Sequence, residues 1–179
     1  DDMDKAQLAA MEKAPLGYAA KIRDKIETLL EAHYRETFEK WLETERIVCK
    51  PYFRLRPSIH PATYTDIYAR SLYAAEDGDM NKLEQKLVVE LTALPNVRWW
   101  HRNIAKQDFA INGFIKHYPD ILIMTKSGKL ICAETKGDHL KNDNSREKIA
   151  LGQAWRTAAG KDFRYYMVFE NEENLLPGA

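Results

Sequence analysis

The order of elements in this chain predicts an α/β fold, with a central mixed β-sheet flanked by helices and a helical extension at the N-terminus. Three observations carry that prediction. Residues 4–46 place apolar side chains at helical spacing. From Met80 a helical stripe is followed by four strand candidates, a second helix and a final strand. Between two of those strands, Lys126-Ser127-Gly128 forms a three-residue loop with glycine in the position that favours a left-handed backbone, which is a hairpin signal.

The elements follow in order. Pro15-Leu16-Gly17 divides the N-terminal segment into a short helix and a long one. Along the long one Ile22, Ile26, Leu29, Leu30, Phe38, Trp41 and Leu42 mark a packing face. An extended stretch, 47–55, leads to a loop marked by Pro57 and Pro61, and the domain boundary is expected there, with 1–56 as the helical extension and 57–179 as the main domain. Met80, Leu83, Leu87, Leu91 and Leu94 form the stripe of the next helix, which ends near Pro95-Asn96. Strands are expected at 97–103, 109–115, 119–125 and 129–136, and a last one at 163–169. A helix from 145 to 159, capped by Asn144 or Ser145, is stopped by Gly160.

Composition narrows the function classes. The chain has 179 residues, 27 basic and 27 acidic, enough for one domain with an appendage and a sizeable core. No apolar run approaches the ~20 residues of a membrane span, and the N-terminus lacks a secretory pattern. Cys49 and Cys132 have no metal-ligand spacing, and Cys132 lies in an apolar run as a reduced, buried thiol would. The expected location is the cytoplasm, with no membrane partner. No Gly-x-x-x-x-Gly-Lys-Ser/Thr phosphate loop occurs, so the chain carries no ATPase motor of that type.

The chemistry-bearing residues cluster around the hairpin. If Thr125 pairs with Lys129, counting outward sets Asp120 opposite Glu134, with Lys136 on the same face as Glu134 and Thr135 pointing away. Opposed residues lie roughly 5 Å apart at Cβ, and two carboxylates that close are costly without a cation between them. Carboxylate and main-chain oxygens suit Mg²⁺ better than zinc. A lysine beside them can steady developing negative charge or orient a water, which fits hydrolysis of a phosphodiester.

These residues resemble the PD-(D/E)xK nuclease superfamily. The wording is similar to the C-terminal endonuclease domain of type III restriction enzyme Res subunits and related helicase-linked nucleases. The matching stretches are Ser71-Leu72-Tyr73, Lys82-Leu83-Glu84, the run from Val97 to Asn103, Tyr118-Pro119-Asp120 and Ala133-Glu134-Thr135-Lys136-Gly137, within about Ser58 to Glu170. The resemblance implies a restriction-endonuclease-like core and Mg²⁺-dependent DNA cleavage, with Mn²⁺ as a substitute. It assigns Asp120 and Glu134 to the metal, Lys136 to the attacking water and Glu84 to a further acidic position. Helix geometry alone does not choose Glu84 over Glu90; the resemblance does. It also implies an ATPase/helicase region upstream and a partner DNA methyltransferase subunit, so the chain, which opens on Asp1-Asp2, is read as a C-terminal piece of such an enzyme. The residue after Asp120 is Ile121 where the family most often has an aromatic, and Thr157 stands where a tyrosine accompanies the glutamine matched here by Gln153.

Net charge is zero, yet it is unevenly spread. Residues 1–46 hold 8 basic and 11 acidic residues, and the remainder 19 and 16. Arg98 and Arg102 flank Trp99 and Trp100, while Lys141, Arg146 and Lys148 follow the second acidic motif; these five are the expected contacts to DNA phosphates. His101 and His139 are the histidines expected near the site. Two rival readings remain: a non-catalytic nuclease-fold module for DNA binding or docking, and a repair or junction-resolving nuclease.

Overall fold

The computed structural model describes residues 5–137 and 143–170. The chain folds as two compact units, Asp1–Ile47 and Val48–Ala179. Residues 48–56, expected to belong to the extension, group with the second unit.

The first unit contains α1 (Lys5–Lys13) and α2 (Pro15–Glu43). The break falls at Ala14, and Pro15 opens α2, where a missing N–H costs nothing. The expected packing face on α2 has no buried residue: Ile22, Ile26, Leu29, Leu30 and Trp41 are all exposed.

The second unit is mixed α/β. Its order is β1 (Tyr64–Thr65), β2 (Glu76–Asp77), α3 (Lys82–Ala93), β3 (Val97–Arg102), β4 (Ile111–Asn112), β5 (Lys116–His117), β6 (Ile121–Thr125), β7 (Leu130–Lys136), α4 (Asp143–Ala159) and β8 (Phe163–Phe169). The central sheet runs β3-β6-β7-β8, antiparallel except for the parallel β7–β8 pair that α4 connects. Gly128 has φ +85°, Thr125 N–H donates to Lys129 O at 2.9 Å, and Ile121 stands opposite Ala133, which is the hairpin register read from the sequence.

Helix α3 covers one sheet face. Leu87, Val88 and Leu91 pack there with Trp100, Ile121, Ile123, Ile131, Ala133 and Val168. Asn81 caps it, accepting from the Leu83 and Glu84 amides while Glu84 Oε2 accepts from Asn81 N at 2.8 Å, a capping box. The other face carries Leu122, Cys132 and Tyr165, covered by Leu151 of α4. Gly152 lets α4 approach the sheet: a Cβ there would lie 2.3–2.4 Å from the Tyr165 ring.

Two expectations change. The segment 109–115 is not a strand of the main sheet; only β4 forms, in a separate ribbon with β5. The Asn103 amide explains this, because it donates to Phe109 O at 2.9 Å and Pro119 O at 2.7 Å and so satisfies a carbonyl that a ladder would otherwise use. Helix α4 starts at Asp143, so Asn144 and Ser145 stand inside its first turn rather than before it. A second ribbon, β1–β2, forms between the Pro61 loop and α3, where no element was expected.

Candidate active site

The edge of the sheet where β6 begins and β7 ends meets the first turn of α3, and a polar cleft of about 480 Å³ opens there. Glu84, Asp120, Glu134, Lys136 and Lys148 line it, with Glu170 at its rim. One step beyond the last ladder pair, Ile121 opposite Ala133, the register sets Asp120 against Glu134.

Glu134 is the most perturbed of these groups. It is 2 % exposed, and its Oε2 has no hydrogen-bond partner among the described residues. Burial, and then the Asp120 charge, push its carboxyl up to about 7, against the opposing pull of Lys148 and Lys136. Lys148 Nζ lies 2.5 Å and Lys136 Nζ 3.7 Å from Glu134 Oε1. On the other side His117 Nε2 is 3.9 Å from Glu134 Oε2 and 2.9 Å from the Tyr165 hydroxyl. Burial, with Lys148 and Lys136 nearby, lowers the His117 pKa to about 3, so this imidazole is neutral.

Asp120 is held differently from the expected face-sharing arrangement. Its Oδ2 accepts from both the Thr135 amide, at 2.8 Å, and the Thr135 hydroxyl, at 2.9 Å. Thr135 therefore does not point away from the site. Asp120 precedes β6, so the strand pleat does not fix its side chain, and the two Thr135 donors draw the carboxylate towards them. Arg102, expected on a DNA-facing surface, is instead part of the acidic cluster. Its Nη2 pairs with Glu84 Oε1 at 3.0 Å, and its Nη1 is 3.9 Å from Asp120 Oδ1 and donates to Asp120 O at 3.0 Å. Burial raises the Glu84 pKa, with Arg102 opposing and Asp120 adding to the rise.

Among the described residues no three carboxylate, imidazole or thiol side chains gather as a metal-binding group. The expected set of Asp120, Glu134 and Glu84 is not drawn together because Arg102 stands between Glu84 and Asp120, and each Glu84 oxygen already accepts from a protein donor. Two oxygens remain available to a hard cation among the described residues: Glu134 Oε2, which has no hydrogen-bond partner there, and Asp120 Oδ1, which is 3.9 Å from Arg102. Mg²⁺ commonly takes one or two protein carboxylates and retains waters.

The remaining candidates are dispersed. Arg98 is exposed in the bulge of β3, at the hairpin end of the sheet. Lys148 serves Glu134 rather than a free phosphate-facing surface. Arg146 is exposed on α4, and Gln153 is exposed there, its side chain accepting from Arg156 at 3.4 Å. Lys141 and His139 lie outside the described residues. His101 is not at the cleft; it is fully buried between Glu76, at 2.7 Å, and Asp108, at 3.3 Å, and Arg56 pairs with Asp108 at 2.9 Å. Burial works against the His101 imidazolium, yet its hydrogen bonds to the Asp108 and Glu76 carboxylates leave its pKa raised. His117 and Tyr165 were missed in the sequence. Tyr165 was the more accessible of the two, since its parallel pairing with Cys132 puts it on the face of Glu134.

No helix among the described residues is long and apolar enough to cross a membrane. Comparison with protein families, characterised proteins and solved structures gives no match.

Proposed function

We propose that this cleft hydrolyses phosphodiester bonds in DNA with Mg²⁺, as the restriction-endonuclease-like cleavage domain of a type III restriction enzyme or a related helicase-nuclease. The observation that carries the reading is the buried, partnerless Glu134 oxygen in register with Asp120, two residues before Lys136 on the same strand. Burial first, and then the neighbouring Asp120 carboxylate, raise the Glu134 pKa, and a carboxylate so placed favours an added cation.

Mg²⁺ between Asp120 and Glu134 would supply charge to the phosphate oxygens and acidify a water for attack. Thr135 holds Asp120 Oδ2 by two hydrogen bonds, which leaves Oδ1 as the oxygen for the cation. Lys136, half-buried beside Glu134, orients the attacking water and steadies charge on the phosphorane-like transition state. Arg102 fixes Glu84 and keeps the wall of the cleft near neutral. The products expected on this reading are a 5′-phosphate and a 3′-hydroxyl. The methyltransferase partner and the upstream motor belong to the same proposal.

Asp120→Ala, Glu134→Ala and Lys136→Ala are each expected to abolish Mg²⁺-dependent cleavage of duplex DNA while far-UV and near-UV dichroism stay unchanged. Cutting retained by any well-folded one of them removes that residue from the mechanism. One observation favours the non-catalytic alternative: Lys148 already neutralises Glu134 at 2.5 Å. That reading predicts that Lys148→Ala leaves DNA binding intact and that no variant or partner restores cleavage.

A further inference from the structure

A second concavity lies on the sheet face opposite α3, at the hairpin end of β6 and β7, away from the catalytic cleft. It encloses about 410 Å³, within the range of small-ligand sites, and its lining is almost wholly apolar. Trp99, Met124 and Leu130 form the floor, with Tyr52, Phe53 and Phe163 around it. Asp120, just before β6, and Met124 within it are four residues apart, so at strand rise cleft and pocket are separated by about 13 Å along the chain.

The rings are unusually available. Tyr52 is 81 % exposed and Phe53 39 % exposed, in a segment without regular secondary structure. Phe53 stacks edge-on against Phe109 at 5.5 Å, so the aromatic wall continues inward. Basic residues alternate with these rings in the chain: Lys50 and Arg54 bracket Pro51-Tyr52-Phe53, and Arg98 precedes Trp99. Lys126 and Lys129 flank the hairpin turn and Lys161 precedes Phe163 by two residues. All six cations are exposed, and none has an ion-pair partner among the described residues. At the catalytic cleft, by contrast, Lys136 and Lys148 are matched to Glu134 and Arg102 to Glu84. One exposed acid, Asp162, directly flanks the lining residues.

An apolar slot with ring walls takes a flat apolar group, and exposed, unmatched cations near in the chain to its lining residues suit an anion. A ligand that joins both is a nucleic-acid strand, whose bases stack on aromatic side chains while its phosphates meet lysine and arginine. Duplex bases have both faces covered by their neighbours, so the occupant must be unpaired. We infer that this pocket binds an unpaired base of a nucleic-acid strand, with the strand's phosphates on the surrounding lysines and arginines. The inference rests on the nucleic-acid reading of the cleft and deepens it: the substrate presents a single-stranded or splayed segment.

The test is fluorescence anisotropy of the full 179-residue chain with a labelled oligothymidine and with an abasic strand of equal length. Divalent cations are left out so that no strand is cut. The oligothymidine is expected to bind about tenfold more tightly, and the exposed-ring variant Tyr52→Ala to lose about tenfold for oligothymidine but not for the abasic strand. Lys126→Ala/Lys129→Ala is expected to reduce the slope of log affinity against log salt by about 1.4. Equal binding of both strands overturns the inference, as does an unchanged affinity in Tyr52→Ala, an unchanged salt slope, or tighter binding of an acidic aromatic peptide than of the strand. Cation titration of the cleft is unaffected by these variants. Strand binding without any metal site therefore sinks the nuclease reading alone, and a metal site without base-dependent binding sinks the pocket alone.

Discussion

Glu134 shows how one side chain sets both the cost and the capability of the cleft. Its carboxyl is buried beside Asp120 and is pushed up to about 7, so the folded chain binds its proton more tightly than the unfolded chain does. The stability this group contributes is therefore fully present at low pH and is lost as pH rises from its ordinary 4.5 to about 7. The loss is on the order of 3 kcal/mol for a shift of that size. His101 has a raised pKa as well and also loses its contribution with rising pH, so the measurement must be a difference. Urea unfolding of wild type and Glu134→Gln across pH 5–8 is expected to show the gap between them shifting in favour of the variant as pH rises. A constant gap would mean that Glu134 is ionised throughout. The same scale explains what the sequence hid. Arg102 and Lys148 read as phosphate contacts because a sequence shows charge without showing distance, and in the fold each is within 3.0 Å of a carboxylate.

At the scale of elements, what was legible was local. The hairpin could be read because Gly128, with its positive φ, fixes the loop, and the loop fixes the pairing of every residue outward to Ile121 and Ala133. The stripe of α3 could be read because Leu87 and Leu91 repeat at helical spacing and are fully buried. The segment 109–115 was misread because its fate depends on Asn103, a residue six positions away whose amide captures Phe109 O. His117 escaped notice for a related reason: it reaches Glu134 and Tyr165 only through the β4–β5 ribbon, and two-residue strands leave no periodicity. The contact between α4 and β8 supplies a prediction of its own. A methyl group at Gly152 would collide with the Tyr165 ring, so Gly152→Ala should destabilise the chain by about 1–3 kcal/mol. Because Tyr165 also bonds His117 beside Glu134, the variant should alter the Glu134 titration too. A urea midpoint equal to wild type would show that α4 can move aside freely.

For the molecule as a whole, every buried apolar residue among those described lies in Val48–Ala179, and none of the described α2 side chains is fully buried. A chain consisting of 48–179 is therefore expected to unfold cooperatively with the same cation affinity as the full chain. A fragment that failed to fold would show that the first unit contributes packing to the second. Fold class followed from element order across the chain, whereas the use of the site depends on a few oxygen atoms: Glu134 Oε2, which has no hydrogen-bond partner among the described residues, and Asp120 Oδ1. The most direct test of the proposed metal site is calorimetric titration of Mn²⁺ and Mg²⁺ into the full chain and into its Asp120→Asn/Glu134→Gln variant, at pH 6 and pH 8. Binding to the wild type is expected to strengthen with pH, as the cation displaces the Glu134 proton, and the variant is expected to bind neither ion. Equal binding by both proteins, or none by the wild type at either pH, would contradict that site.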